Sequence, residues 1–211
     1  MISSGNSQFD SLLDGGYREE VTLLYGPAAS GKTTLCFVLA CDMLKRDKKV
    51  VYLDTENGFS IERFMQICGP GYLTMLDRLL LLKAASFPDQ CKKIDSLMKL
   101  VHIDLIIVDS LGIHYRHVLQ DNPTETNKQM DRQLRILTEI SRRGVPIFVT
   151  TQVSTNPETG EVHMVGGEMV KSWGKSIIEL RKDPRKIMLK RPEERSTSFE
   201  IIDRGISILS F

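Results

Sequence analysis

The chain has 211 residues, of which 41% are hydrophobic, and its 28 basic residues nearly balance its 27 acidic ones. This length is enough for one α/β domain with a full core, and the balanced charge indicates no particular class of partner. The longest aliphatic run, residues 79–82, is far too short to span a bilayer, and the N-terminus lacks the charged and apolar segments of a signal peptide. We therefore predict a cytoplasmic protein with no membrane partner.

The first predicted strand, residues 21–25, leads into a glycine-rich loop and then into an apolar helix over residues 34–44. The loop has the spacing G-x-x-x-x-G-K-T, which in this context is typical of a phosphate-binding loop. Its glycines let backbone N–H groups approach phosphate oxygens, and the helix N-terminus adds positive partial charge. Lys32 is expected to contact the β- and γ-phosphates of a bound nucleotide, and Thr33 to bind Mg²⁺. The predicted nucleotide-binding residues are Gly26, Pro27, Ala28, Ala29, Ser30, Gly31, Lys32, Thr33 and Thr34.

The second predicted strand, residues 50–53, is followed by the acidic residues Asp54 and Glu56. Nucleotide hydrolysis needs a carboxylate that orients a water molecule toward the γ-phosphate. Glu56 is the candidate for this role, and an ordinary surface turn is the alternative. A third strand is predicted at residues 79–82. The helix after it is predicted to be capped by Ser86 and to bury Phe87, Cys91, Ile94, Met98 and Val101.

The fourth predicted strand, residues 105–108, ends in Asp109. In proteins with a phosphate-binding loop, an acid at this position lies beside Mg²⁺ at the carboxyl edge of the sheet. Asp109 is therefore predicted to bind the ion together with Thr33. Ser110 either assists through a water molecule or is an ordinary hydroxyl at the end of a strand.

A long amphipathic helix follows and is predicted to begin near Thr126, with Gln129 completing a capping box. A fifth strand, residues 147–149, leads to Gln152. The uncharged amide of Gln152 could hydrogen-bond the γ-phosphate, but its chemistry alone favours an ordinary polar residue at the end of a strand.

The composition changes after Gln152. Residues 153–165 are rich in Thr, Asn, Pro, Gly and Glu and are predicted to form a long exposed loop. Four short apolar runs then alternate with turns, which predicts antiparallel hairpins; the runs are residues 177–180, 187–189, 198–202 and 206–209. Residues 169–211 contain ten basic and six acidic residues, so this part is locally cationic. A solvated charged surface explains that excess equally well.

Alternating strands and helices predict an α/β fold, in which a mostly parallel sheet has helices on both faces and the C-terminal hairpins extend it. The cysteines show no C-x-x-C spacing, so we predict no zinc site; they are Cys36, Cys41, Cys68 and Cys91. Cys36 and Cys41 lie in an apolar helix and are predicted to be buried thiols.

Four motifs in this order resemble the RecA/RadA recombinase family. They are the phosphate-binding loop, residues 54–59 with Glu62 and Arg63 close behind, residues 107–110, and residues 151–153. Residues 9–16 are similar to the segment that enters this ATPase core, so the resemblance covers essentially the whole chain. It implies a RecA-type core and catalytic roles for Lys32, Glu56 and Gln152.

The resemblance gives these residues specific tasks. Glu56 is the acid that activates water, and Gln152 is the γ-phosphate sensor that opens a DNA-binding loop. Arg63 matches the position whose side chain lies on the adenine, and a guanidinium plane can stack on a purine. A solvated charge on a helix is the alternative for Arg63.

Two loops line the DNA channel in this family. Here the first includes Tyr115 and Arg116, and the second covers roughly residues 154–171. The second loop is not strongly basic, because Glu158, Glu161 and Glu168 outweigh Lys171. The cationic C-terminal hairpins offer a better electrostatic surface. The predicted DNA contacts are Tyr115, Arg116, Lys171, Arg185, Lys186, Lys190 and Arg191.

We therefore expect an accessory protein of homologous recombination and DNA repair that binds ATP, Mg²⁺ and DNA and hydrolyses ATP slowly. The chain begins directly at the core, so we expect one domain over residues 1–211 and no strand exchange by the protein alone. Its expected partners are DNA and a RecA/RadA-type recombinase or branched-DNA nuclease, and a homo-oligomer is possible. The alternatives are a signalling or clock-type ATPase of the same superfamily that does not bind DNA, or an interaction module controlled by ATP.

Overall fold

The computed structural model of the protein describes residues 1–155 and 162–209. Its helices are α1 (Ser7–Leu12), α2 (Lys32–Lys45), α3 (Ile61–Cys68), α4 (Leu73–Leu76), α5 (Phe87–Leu97), α6 (Gly112–Val118), α7 (Pro123–Ser141) and α8 (Gly167–Trp173). Its strands are β1 (Val21–Tyr25), β2 (Val50–Asp54), β3 (Leu79–Lys83), β4 (Leu105–Asp109), β5 (Ile147–Thr151), β6 (Val153–Thr155), β7 (Val162–Met164), β8 (Ser176–Lys182), β9 (Arg185–Arg191), β10 (Arg195–Ile202) and β11 (Gly205–Ile208).

Nine of these strands form one sheet in the order β11-β10-β9-β8-β1-β5-β4-β2-β3. The strands β3, β2, β4, β5, β1 and β8 pair with one another in parallel, in that order. The strands β8, β9, β10 and β11 pair as antiparallel hairpins. The predicted α/β architecture with C-terminal hairpins is confirmed. The remaining strands, β6 and β7, form a separate two-stranded hairpin.

Helices cover both faces of the parallel strands, because alternate residues of each strand point to opposite faces. In β2, Val50 and Tyr52 pack into a core with α1, α2 and α3, whereas Val51 and Leu53 pack into a second core with α5, α6, α7 and α8. Among the described residues, none of the helices is both long and apolar enough to cross a bilayer.

We predicted that helices cover both faces of the sheet, but side chains of the edge strand β3 are exposed. Leu80 and Leu81 are 41% and 36% exposed, because β3 is the last strand of the sheet and has only β2 as a neighbour. An aliphatic run in the sequence predicts a strand, but it does not show whether that strand is central or at the edge.

The helix boundaries follow the capping side chains. Ser86 caps α5 as predicted, since its hydroxyl accepts a hydrogen bond from the Asp89 N–H. Val101 is 72% exposed, so its predicted place on the buried face of α5 is wrong; the helix ends at Leu97. The predicted start of α7 at Thr126 is also wrong, because Asn122 caps that helix and accepts from the Glu125 N–H at 3.2 Å.

Two other predictions change with the tertiary structure. Cys41 is not a free thiol: it forms a disulfide with Cys68 that joins α2 to α3, whereas Cys36 is buried and free. The predicted loop over residues 153–165 contains β6 and β7. Glu158 and Glu161, the acidic residues that weakened the DNA prediction for this loop, lie outside the described residues.

Candidate active site

The predicted catalytic residues lie at the carboxyl edge of the parallel strands. Asp54 and Asp109 are directly paired at the ends of β2 and β4, and Tyr25 and Thr151 are paired at the ends of β1 and β5. Three segments leave the strands at this edge: the phosphate-binding loop follows β1, the segment with Glu56 follows β2, and Gln152 follows β5. Parallel pairing therefore gathers groups that are far apart in the sequence, as expected for ligand sites of open α/β sheets.

The phosphate-binding loop is packed too closely for larger residues at its glycines. A Cβ atom at Gly26 would lie 2.4 Å from the Leu180 carbonyl oxygen, and Gly31 has a φ of 107° at the start of α2. Ala29 also has a positive φ, 60°, although it has a Cβ atom. The loop thus has the tight turn and helix N-terminus that cradle phosphate groups.

Lys32 is the basic group of this loop. It is only 8% exposed, and its ammonium donates to the carbonyl oxygens of Gly26 and Pro27, each at 2.9 Å. Burial lowers the pKa of Lys32, and the nearby carboxylates of Asp109 and Glu56 oppose this shift. The ammonium is therefore held at the loop by backbone oxygens and by the negative potential of the two acids.

Asp109 accepts three side-chain hydrogen bonds. Thr33 and Tyr52 donate to its Oδ2 at 2.8 and 2.7 Å, and Thr150 donates to its Oδ1 at 2.5 Å. Burial raises the pKa of Asp109, these three donors lower it, and the negative charge of Glu56 raises it further. The predicted Mg²⁺ ligands Thr33 and Asp109 are thus in direct contact.

Glu56 faces the same space from the loop after β2. Its Oε1 accepts from the Ser110 hydroxyl at 2.5 Å, and the Gln152 amide donates to both carboxylate oxygens at 3.0 and 3.1 Å. The structure therefore joins the predicted water-activating acid to the predicted sensor. It also gives Ser110 a direct contact with Glu56.

Two positioning residues of this loop were not found from the sequence. The Asp54 carboxylate accepts from the backbone N–H groups of Glu56, Gly58 and Phe59 at 3.0–3.1 Å. The Thr55 hydroxyl donates to the Ser110 carbonyl oxygen and accepts from its N–H. The role of Asp54 could have been predicted from its position just before a Glu-Asn-Gly turn, because an aspartate side chain often accepts a hydrogen bond from the backbone N–H two residues later. Nothing local indicated the role of Thr55.

A cavity of about 430 Å³ lies between these groups, within the size range of ligand pockets. It is lined by Ala28, Ala29, Gly31, Lys32, Thr33, Thr34, Glu56, Asp109, Gln152, Arg185 and Ile201. Within residues 1–155 and 162–209, no group of three or more His, Cys, Asp or Glu side chains is arranged to hold a metal ion. One carboxylate and one hydroxyl nevertheless fit Mg²⁺, which is commonly held by few protein ligands together with substrate phosphates.

Arg63 is not among the residues that line this cavity. Its guanidinium donates to the backbone carbonyls of Ile202 and Asp203, at 2.7 and 3.0 Å, and to the Gln66 side chain. The predicted adenine-stacking side chain therefore connects α3 to the turn between β10 and β11. This contact spans 139 residues of sequence, so no local pattern indicated it.

The predicted DNA contacts separate into different environments. Tyr115 is 4% exposed and its hydroxyl donates to Asn127, so its predicted role as a DNA contact is wrong: the ring packs in the second core. Arg185 lies at the phosphate-binding loop. Arg191 donates to the carbonyls of Lys171 and Gly174, whereas Lys186 is exposed.

Three predicted DNA residues share one continuous surface. Arg116 lines a cavity of about 430 Å³, and Lys171 and Lys190 line a neighbouring cavity of about 410 Å³. Both cavities are also lined by His163, Met164 and Gly167. The helix after Asp109, α6, and the C-terminal hairpins therefore meet at the β7–α8 segment. Lys171 and Lys190 are each paired with an acid, Glu168 and Glu194.

Comparison with known proteins agrees with this geometry. Residues 1–205 match the Rad51 family. The chain is 36% identical to proteins named DNA repair and recombination protein RadB from Methanosphaera stadtmanae, with 95% of this chain and 93% of the relative covered, and from Methanoculleus marisnigri, with 97% and 96% covered. It is 37% identical to the Thermococcus kodakarensis protein of the same name, with 98% of each chain covered.

The fold is similar to a solved structure as well. The crystal structure of the RadB recombinase superimposes with a TM-score of 0.85 at 35% identity and covers 100% of both chains. A match over nearly the full length, together with the order of strands, loops and acids described above, settles the classification. The chain belongs to the Rad51 family, and the relatives it resembles across its length are archaeal RadB proteins.

Proposed function

We propose that this protein binds ATP–Mg²⁺ and DNA as an accessory factor of homologous recombination and DNA repair, and that it hydrolyses ATP slowly. The observation that carries the nucleotide part is the meeting of Lys32, Thr33, Asp109 and Glu56 on one cavity at the phosphate-binding loop. Lys32 supplies positive charge for the terminal phosphates, and Thr33 and Asp109 would hold the ion. Bound Mg²⁺ would neutralise phosphate charge.

The contacts of Glu56 support slow turnover. A carboxylate that activates water must present a free lone pair to that water. In this structure both Glu56 oxygens accept hydrogen bonds from Gln152, and Oε1 also accepts from Ser110. These bonds occupy three of the four lone pairs of the carboxylate, so only one lone pair, on Oε2, is left for water. Gln152 must turn toward the nucleotide to act as its sensor.

The DNA part of the proposal is supported by the surface that carries Arg116, Lys171 and Lys190. Basic side chains that approach phosphates release condensed counterions, so DNA affinity falls with salt. Lys186 adds an exposed charge on β9. Membership of the Rad51 family favours DNA over a signalling ligand, and a RecA/RadA-type recombinase or a branched-DNA nuclease is the proposed protein partner.

Removing the three basic groups Arg116, Lys171 and Lys190 by alanine substitution should weaken binding to duplex DNA of any sequence. The slope of log affinity against log salt should flatten by up to about 0.9 for each phosphate that the variant no longer neutralises. Electrophoretic mobility shift or fluorescence anisotropy across a salt series measures both effects.

The matched control replaces Lys92, Lys99 and Lys128 by alanine. These lysines are exposed and lie on or next to α5 and α7, so the variant loses the same charge at a different part of the surface. It should keep the slope of the unaltered protein. Equal flattening in both variants would show that net charge alone attracts DNA and would remove this surface from the proposal.

Strand exchange by the protein alone should be undetectable. The second predicted DNA loop, roughly residues 154–171, contains three acidic residues and one lysine, which gives a poor electrostatic lining for two DNA strands. Mixing the protein with ATP, Mg²⁺ and homologous single-stranded and duplex DNA tests this expectation. Robust joint-molecule formation, or strong stimulation of ATP hydrolysis by DNA, would identify a recombinase in its own right and contradict the accessory role.

A further inference from the structure

The C-terminal hairpins pack directly against the phosphate-binding loop. The Leu180 carbonyl of β8 approaches Gly26 so closely that a Cβ atom there would clash, and Ile201 and Phe199 of β10 lie 3.2 and 3.6 Å from the position of a Cβ atom at Gly31. The antiparallel strands are therefore part of the wall of the nucleotide cavity, as well as an extension of the sheet.

Arg185, the first residue of β9, contacts this loop with its charged group. Its Nη1 lies 3.2 Å from the Ala29 carbonyl oxygen and 3.4 Å from that of Ser30, and it donates to both. The guanidinium carbon lies 6.0 Å from the centre of the Phe199 ring, within reach of a cation–π contact. Arg185 is half-buried and lines the same cavity as Lys32 and Thr33.

Ala29 is where the loop needs such support. Its φ of 60° lies in the left-handed region, which is unfavourable for a residue with a Cβ atom because that atom crowds the following carbonyl oxygen. Ala29 itself is exposed, so side-chain packing does little to hold this conformation. The hydrogen bonds from Arg185 fix the carbonyl oxygens of the Ala29–Ser30 and Ser30–Gly31 peptide groups, and thus the orientation of the N–H groups of Ser30 and Gly31.

We propose that Arg185 is a positioning residue of the nucleotide site and not a DNA contact: it holds the phosphate-binding loop at Ala29 and Ser30 and places a second cation beside Lys32 at the cavity that takes a nucleoside triphosphate. This inference rests on the proposed nucleotide binding. The neighbouring Lys186 points away from the loop, since successive side chains of a strand face opposite sides, and it is exposed.

The test compares Arg185→Ala, Arg185→Lys and Lys186→Ala with the unaltered chain. Isothermal titration with ATP and Mg²⁺ gives the dissociation constant of each protein, thermal unfolding without nucleotide checks the fold, and anisotropy with duplex DNA, also without nucleotide, checks DNA binding. Arg185→Ala should weaken ATP binding about tenfold, the effect of one charge-assisted hydrogen-bonding group. Arg185→Lys should recover part of the affinity, because it restores the charge without the planar fork.

Lys186→Ala should bind ATP within about twofold of the unaltered protein, and Arg185→Ala should bind DNA as the unaltered protein does. The inference is overturned if Arg185→Ala binds ATP normally, if Lys186→Ala loses as much ATP affinity, or if Arg185→Ala loses DNA binding while it keeps ATP binding. If the unaltered chain binds no ATP, the proposed function and this inference both fail. If the unaltered chain binds ATP but Arg185→Ala does so equally well, only the inference fails.

Discussion

Replacing Lys32 by alanine is expected to lower the affinity for ATP by at least about a hundredfold. Lys32 carries the buried ammonium of the phosphate-binding loop, and its loss removes charge-assisted hydrogen bonds worth roughly 1.5–3 kcal/mol each. Among the described residues, Arg185 is the other cation that lines this cavity, and its guanidinium is bonded to the carbonyl oxygens of the loop, so it does not replace the ammonium. Isothermal titration with ATP and Mg²⁺ measures the effect.

Lys45→Ala is the matched control, because Lys45 is the exposed last residue of the same helix, α2. It should bind ATP with unchanged affinity, and both variants should unfold cooperatively. Normal ATP binding by Lys32→Ala would refute the assignment of residues 26–33 as a phosphate-binding loop that acts through its lysine.

Glu56→Gln is expected to separate binding from hydrolysis. The amide keeps the size of the side chain but cannot accept a proton from water, so the rate of hydrolysis at saturating ATP should fall by roughly 10²- to 10⁴-fold. ATP affinity should stay within about threefold, since Lys32, Thr33 and Asp109 are unchanged. Phosphate release at saturating ATP and titration with ATP, carried out on the same preparation, report the two quantities separately.

Glu139→Gln serves as the control, because it removes an acid that is 54% exposed on α7 and paired with Arg143. Its hydrolysis rate should equal that of the unaltered chain. A Glu56→Gln protein that hydrolyses ATP at the normal rate would show that another group activates the water. A Glu56→Gln protein that no longer binds ATP would show that this carboxylate is needed to keep the cavity in shape.

The same two variants, Lys32→Ala and Glu56→Gln, show whether the accessory role needs ATP binding alone or also ATP hydrolysis. If Lys32→Ala abolishes the effect of the protein on a partner recombinase while Glu56→Gln preserves it, bound ATP is sufficient and turnover is secondary. We expect this outcome, because the hydrogen bonds of Gln152 and Ser110 to Glu56 favour slow turnover.

The sequence by itself determined the α/β alternation, the phosphate-binding loop and the acids that end β2 and β4. These features depend on short-range chemistry: the apolar runs of buried strands, a glycine spacing and a carboxylate at a strand end. The hairpin positions were also predictable, because Asp183–Pro184 and Arg204–Gly205 are local turn signals. The assignment of Asp109 and Glu56 to one site required only the rule that parallel strands bring their carboxyl ends together. The extent of the domain over residues 1–211 stays a prediction.

The tertiary structure alone decided where the remaining charged and aromatic side chains act. Arg185 reaches a carbonyl 156 residues away and Arg63 reaches one 139 residues away, and such contacts depend on which strands pair. Tyr115 became a core residue because α6 packs against α5 and α7, and Cys41 became a disulfide partner because α2 packs against α3. Sequence periodicity records burial along one element, whereas these outcomes depend on the distance between elements, which only the packed sheet and its helices fix.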